Sequence, residues 1–163
     1  MSGMWDTAKG IEEQGREYYL ELAGKEPDNG IAGVLRKLAD EERKHYELFD
    51  SMEKRTGISP PAPSGIVTDA KQVFAGLSES FNETAALEDA VDMYEKALAL
   101  EKKSIDYYGE ALDKAGEQQQ KEMLSFVRGE ERKHERIVQS LLDFVRRPRE
   151  WLENAEFTHL EEY

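Results

Sequence analysis

No cysteine occurs among the 163 residues. The chain can therefore supply no disulfide, thiol nucleophile, thiolate zinc site or cysteine-held iron–sulfur cluster of its own. Any metal it holds must sit on oxygen and nitrogen. Apolar residues nowhere run together for the roughly 18 positions that a membrane span requires, and the opening from Met1 to Asp6 lacks a basic stretch followed by an apolar one. The expectation is a soluble, cytoplasmic protein with no membrane partner. Basic residues are also scarce: 22 against 35 acidic ones leave a net charge of -13. Such a surface repels phosphate backbones and anionic lipid, which excludes nucleic acid as an expected partner. There is no phosphate-binding glycine loop and no serine nucleophile arrangement.

Proline is rare as well, with 5 in all, and its placement is informative because Pro60, Pro61 and Pro63 fall together between Gly57 and Gly65. Clustered proline and glycine forbid helix or central strand, so this segment divides the chain into halves. A length of 163 residues suits one domain. A charged fraction of 35% beside 39% apolar residues favours long solvated helices. Each half reads as two amphipathic helices around a turn, over about 4–24 and 30–55, then 87–115 and 117–146. The turns hold Pro27 to Gly30 and Gly116, and Pro148 follows the last helix. No strands are expected. Segment 57–86 would be a crossover long enough to span the bundle, with a short helix near Asp69 to Phe74.

At 100° per residue the core faces contain charge. In the first helix Ala8, Ile11, Glu12, Gly15, Tyr18, Tyr19 and Leu22 share one arc. The third helix repeats this with Ala97, Leu100, Glu101, Ser104, Tyr107, Tyr108 and Ala111, every position shifted by 89. In the second helix Ile31, Leu35, Leu38, Tyr46 and Phe49 surround Glu42, with His45 at the edge. In the fourth, Leu124, Val127, Val138 and Leu142 surround Glu131, with His134 at the edge. The pentapeptide Glu-Glu-Arg-Lys-His thus occurs at 41–45 and again at 130–134, with the same offset of 89. Glu41 and Glu130 point about 100° from the arcs and are expected on solvated faces.

Four inward glutamates at one level repel and lose hydration unless they are protonated, paired or metallated. No lysine or arginine lies near the centres of the arcs, Arg16 and Arg128 being marginal. Two divalent ions would cancel four negative charges. Glu at i and His at i+3 project from one side of a helix and offer one ion an oxygen and a nitrogen. Glutamates from the other helices could bridge or terminate the pair. Six ligands on two ions leave positions open for dioxygen, peroxide or water, as in a reactive rather than a closed site.

With these residues the chain resembles the ferritin-like di-iron carboxylate superfamily, whose pattern is one Glu from each of two helices and Glu-x-x-His from each of the others. It looks most similar to the rubrerythrin-type branch, where a core Glu is followed by a small residue and then tyrosine. The resemblance implies an all-α, ferritin-like four-helix bundle over residues 1–146, made of two hairpins joined by the crossover. It implies Glu12, Glu42, His45, Glu101, Glu131 and His134 as ligands to two iron ions, with manganese or zinc also compatible. Tyr19 and Tyr108 become hydrogen-bond donors to the ligands. The implied function is a non-haem oxidoreductase coupling ferrous oxidation to reduction of peroxide or dioxygen, with iron storage or transfer, or a metal-stabilised structural or sensor role, as alternatives. Two departures stand out. The rubredoxin-like module with its four cysteines is missing, so electrons would come from another protein or from the stored ferrous ions. Ser104 stands where rubrerythrins carry a further glutamate ligand. The tail at 147–163, with Trp151, Phe157, Leu160 and Tyr163, is expected to dock on the bundle or on a second subunit of a homodimer. His159 and the Asn82-Glu-Thr84 triplet are read as surface features without function.

Overall fold

The computed structural model describes residues 2–80 and 89–146. The Asn82 triplet, the tail from 147 and His159 lie outside the described residues. Among the described residues there are five helices: α1 Ser2–Lys25, α2 Asn29–Lys54, α3 Ile66–Ser80, α4 Ala90–Lys114 and α5 Gln118–Arg146. No strand occurs among the described residues. The result is the expected all-α, ferritin-like bundle of two hairpins.

Local chemistry sets the boundaries. Asp28 accepts the Ile31 N–H at 2.8 Å and so caps the start of α2, satisfying one of the donors a helix start leaves free. At its other end Arg55 turns left-handed with φ 56, and its N–H and that of Thr56 return to Met52 O and Ser51 O. This closing turn satisfies carbonyls that would otherwise be unpaired. The prolines that follow prevent the helix from resuming.

α1 packs along α2 and α4 along α5, and the hairpins meet through α1–α4 and α2–α5. Tyr94 near the start of α4 donates to Glu26 just past the end of α1, at 2.7 Å, while Tyr107 far along α4 donates to Met4 O at 3.4 Å. α1 and α4 are therefore antiparallel, and the connection from α2 must cross the bundle end to end. The helix within it is longer than the expected Asp69 to Phe74, at 15 residues. Its buried residues Ile66, Ala70, Phe74 and Leu77 recur at helical spacing, one apolar stripe that lies against α2 and α5. That stripe extends about a turn beyond the segment first marked.

The hydrophobic core is in two parts. One, toward the α1–α2 turn, holds Tyr19, Leu22, Leu35, Leu38, Phe74 and Val138. The other, toward the α4–α5 turn, holds Trp5, Phe49, Tyr108, Met123 and Leu124. Side chains such as Leu35 and Phe49, wholly shielded from solvent, each contribute about 1.5–3 kcal/mol by burial. The layer between the two parts is where Glu12, Glu42, Glu101 and Glu131 lie. Tyr46 and Tyr107, assigned to core arcs from the sequence, are only half-buried. Among the described residues no helix is long and apolar enough to cross a membrane.

Candidate metal centre

Each of the four long helices sends carboxylate into the polar layer, and α2 and α5 add imidazole. Glu12, Glu42, His45, Glu101, Glu131 and His134 are all buried. They form two overlapping groups, Glu12–Glu42–His45–Glu131 and Glu42–Glu101–Glu131–His134, and within each group the ligating atoms lie within 4.8 Å of one another. Glu42 and Glu131 belong to both. Of the roles left open by the sequence, the shared position therefore falls to the Glu-x-x-His glutamates, and Glu12 and Glu101 sit at the two outer sides.

The histidines reach across the bundle rather than along their own helices. His45 Nδ1 lies 2.9 Å from Glu131 Oε1, and His134 Nδ1 lies 2.7 Å from Glu42 Oε1. The two rings stack, with centroids 5.7 Å apart. The tyrosines cross over too. Tyr19 on α1 donates to Glu101 on α4 at 2.5 Å, and Tyr108 on α4 donates to Glu12 on α1 at 2.8 Å. Burial and the neighbouring Glu101 and Glu12 charges raise both phenols well above their ordinary range. They remain O–H donors.

Electrostatics in the layer follow from burial and crowding. Burial raises the Glu42 carboxyl well above its usual range, and the charges of Glu12, Glu131 and Glu101 add to the effect. Burial and Glu131 raise Glu101 to about 8. Burial also works upward on Glu12, but its hydrogen bond with Glu42 and the charge of His45 outweigh it, and Glu12 is lowered. Burial opposes a charged His45, yet Glu12 and Glu131 raise it to about 10. His134 is raised well above its usual value despite burial, by hydrogen bonds to Glu101, Glu41 and Glu42. Protons thus take the places that cations would fill. They do so incompletely: Glu12 Oε2, Glu101 Oε2 and Glu131 Oε2 are buried with no hydrogen-bond partner. Orphaned buried carboxylate oxygens from both groups, on side chains that also cluster with imidazole, are a donor set that fits hard or borderline divalent ions.

The sequence reading brought these six residues to one level with both tyrosines as donors to them; the structure groups the six, and Tyr19 and Tyr108 donate to Glu101 and Glu12 from either side of the layer. It placed Glu41 and Glu130 outside, and that is corrected. Glu41 has only 13% of its side chain exposed, and its Oε1 stands 2.8 Å from His134 Nε2. Burial works upward on its carboxyl, but His134 and, more weakly, Ser64 outweigh it and hold Glu41 below its usual range. Glu130 is 3% exposed, accepts the Ser64 N–H at 3.0 Å and pairs with Lys133 at 2.9 Å. A helical wheel describes one helix, whereas a glutamate pointing sideways reaches the next helix or the connecting strap. Sequence reasoning missed Ser64 altogether, and only the i, i+3 spacing of Glu130 and Lys133 signalled part of this network.

A family model described as Rubrerythrin matches residues 6–142. Neither the curated proteins nor the solved structures yield a match. The match runs from the first turns of α1 to the last turns of α5 and takes in every residue of the cluster, and the chain belongs to the rubrerythrin family.

Proposed function

We propose that this rubrerythrin-family chain is a non-haem di-iron oxidoreductase, passing electrons from two ferrous ions to hydrogen peroxide or dioxygen. The observation that supports it most is the sharing of Glu42 and Glu131 by two four-residue groups. Glu12 and His45 would complete the set for one ion, and Glu101 and His134 the set for the other. Four carboxylates offset two divalent charges, which suits a buried site that must not carry a large net charge. Iron bound there would supply one electron per ion to an O–O bond.

The chain's own residues have three tasks in this reading. Tyr19 and Tyr108 fix the outer carboxylates by donating to Glu101 and Glu12, so those side chains do not swing when charge changes. Glu41, at His134 Nε2, sets the ring's orientation and leaves Nδ1 facing the cluster. The apolar parts of the core above and below shield the layer from water. Because the chain has no cysteine, a separate electron-donor protein would return electrons between turnovers. The test is metal analysis of anaerobically prepared protein saturated with ferrous iron, followed by peroxide addition with an optical readout. Two irons per chain and loss of the ferrous state on peroxide addition are expected. A stoichiometry of zero or one would overturn the reading.

A further inference from the structure

α1 and α4 face one another across a narrow cleft. Exposed Gln14 and Lys103 stand at its mouth, and buried Glu42 and Glu101 form its floor. The lining between them includes Ile11, Tyr18 and Leu100, and two small residues, Gly15 on α1 and Ser104 on α4, counterparts in the internal repeat at a separation of 89. The cleft has a volume of about 10 Å³, at the lower limit of what holds one water molecule. Larger hollows of about 520 Å³ beside Pro60 and Phe126, and about 300 Å³ beside Trp5 and Arg55, touch none of the six clustered residues.

Backbone conformation does not explain why these two residues are small. Gly15 lies within a helix, where glycine costs about 0.5–1 kcal/mol relative to alanine. A Cβ there would stand 3.0 Å from Glu42 Oε2. Ser104 turns its hydroxyl back to Leu100 O at 3.0 Å, so the hydroxyl is tied to α4 instead of reaching across the gap. Tyr19 also lines the cleft and donates to Glu101, so an entering molecule meets a carboxylate already held in place.

We propose that this cleft is the oxidant's route to the Glu42–Glu101 side of the centre, and that Gly15 and Ser104 limit it to molecules near the size of water. Hydrogen peroxide passes; a hydroperoxide carrying a branched carbon does not. The inference rests on the di-iron reading and adds to it the size class of the substrate. In the reaction served, one hydrogen peroxide accepts two electrons from two ferrous ions and two protons, its O–O bond breaks, and two waters leave beside two ferric ions.

The test uses the full chain loaded anaerobically with ferrous iron. Hydrogen peroxide is compared with tert-butyl hydroperoxide, and Ser104→Val and Ser104→Leu form a graded pair. The wild-type protein should react at least about tenfold faster with hydrogen peroxide than with the alkyl hydroperoxide, the scale on which pocket size discriminates. The peroxide rate should fall stepwise through Val to Leu while two irons stay bound. Azide binding to the oxidised protein gives a readout without turnover, and its association rate should fall in the same order. Should Ser104→Leu lose iron, Ser104→Val decides. If both oxidants react equally fast and the variants alter neither oxidation nor azide association, the route is wrong and the di-iron reading stands. A wild-type protein that binds two irons yet delivers no electrons to peroxide sinks the oxidoreductase reading, and azide association then decides the cleft alone. A chain that takes up no iron sinks both.

Discussion

The two hairpins agree in the six clustered residues and in the tyrosines that donate to them, and they disagree around that set. Glu12, Tyr19, Glu42 and His45 recur as Glu101, Tyr108, Glu131 and His134. Glu41 and Glu130 recur too, yet Glu41 meets a histidine while Glu130 meets a lysine and a backbone N–H. One cause is the unrepeated strap: its Ser64 gives its N–H to Glu130, and among the described residues Glu41 receives no such backbone bond. The other is a single substitution between repeats. Lys44 finds Asp40 one turn back at 3.3 Å, but the position one turn before Lys133 is Gly129. With no carboxylate there, Lys133 pairs with Glu130. A repeat can thus copy a set of ligands, while connections and neighbouring substitutions decide how each copy is supported.

The sharpest break of the two-fold relation separates shared from outer carboxylates. Glu42→Ala and Glu131→Ala each damage both groups and should reduce bound metal from two ions per chain to fewer than one. Glu12→Ala and Glu101→Ala each damage one group and should leave about one ion, the six-residue set being divided as the geometry divides it. Metal analysis of the four variants reads this directly. Equal losses in all four would mean that Glu42 and Glu131 are not shared.

Metal removal should expose a second inequality. Glu101 is raised from 4.5 to about 8, so its contribution to stability in the metal-free chain is present below about 4.5 and lost as pH rises through about 8. His45, raised from 6.5 to about 10, loses its contribution between those values. The metal-free chain should therefore melt lower at pH 8.5 than at pH 6, by an amount on the order of 5–10 °C if about 2–3 kcal/mol is at stake. The metal-loaded chain should show little of this slope, because its ligands are already deprotonated. A metal-free melting curve indifferent to pH across that range would contradict the proton distribution described above.

Glu41 and Glu130 provide the third test. Glu41→Gln should weaken metal affinity by roughly 10- to 100-fold, the usual effect of removing a carboxylate behind a metal-binding imidazole. Glu130→Gln should change affinity little and cost about 1 kcal/mol of stability through its lost pairing with Lys133. Competition titration against a chelator separates them. Equal weakening would show that the repeat governs support of the histidines after all.

What the sequence made legible follows the same division. The repeat of Glu-x-x-His and its upstream glutamate located the layer, because the requirement that charge not be buried alone acts on every copy. The length of α3 was less visible, since Ile66 and Leu77 had to be joined to Ala70 and Phe74 across a segment dominated by proline on one side. Glu41 was invisible to a wheel because its partner His134 is on another helix. The crossing of Tyr19 to Glu101 and Tyr108 to Glu12 was visible only in part: spacing put each phenol on the core face, and packing of α1 against α4 chose its partner.

The smallest effect expected concerns those tyrosines, and it distinguishes two sites that the repeat makes identical. Tyr19→Phe and Tyr108→Phe each remove one buried donor to a carboxyl group, at a cost of about 1–3 kcal/mol. In the metal-free chain the two carboxyls are not in the same state at pH 7. Glu12 is lowered and ionised, held so by Glu42, His45 and Tyr108 itself, whereas Glu101, raised to about 8, is largely protonated. A hydrogen bond to a charged acceptor is about twice as strong as one between neutral groups. Tyr108→Phe should therefore lower the metal-free melting temperature more than Tyr19→Phe, by about 2–4 °C for each kcal/mol of difference. Metal loading ionises both carboxyls, and the gap between the variants should close. A larger loss from Tyr19→Phe would mean that Glu101 and not Glu12 is the ionised partner, and equal losses without metal would mean that the two share their protons evenly and that the asymmetry of the two hairpins stops short of the carboxylates.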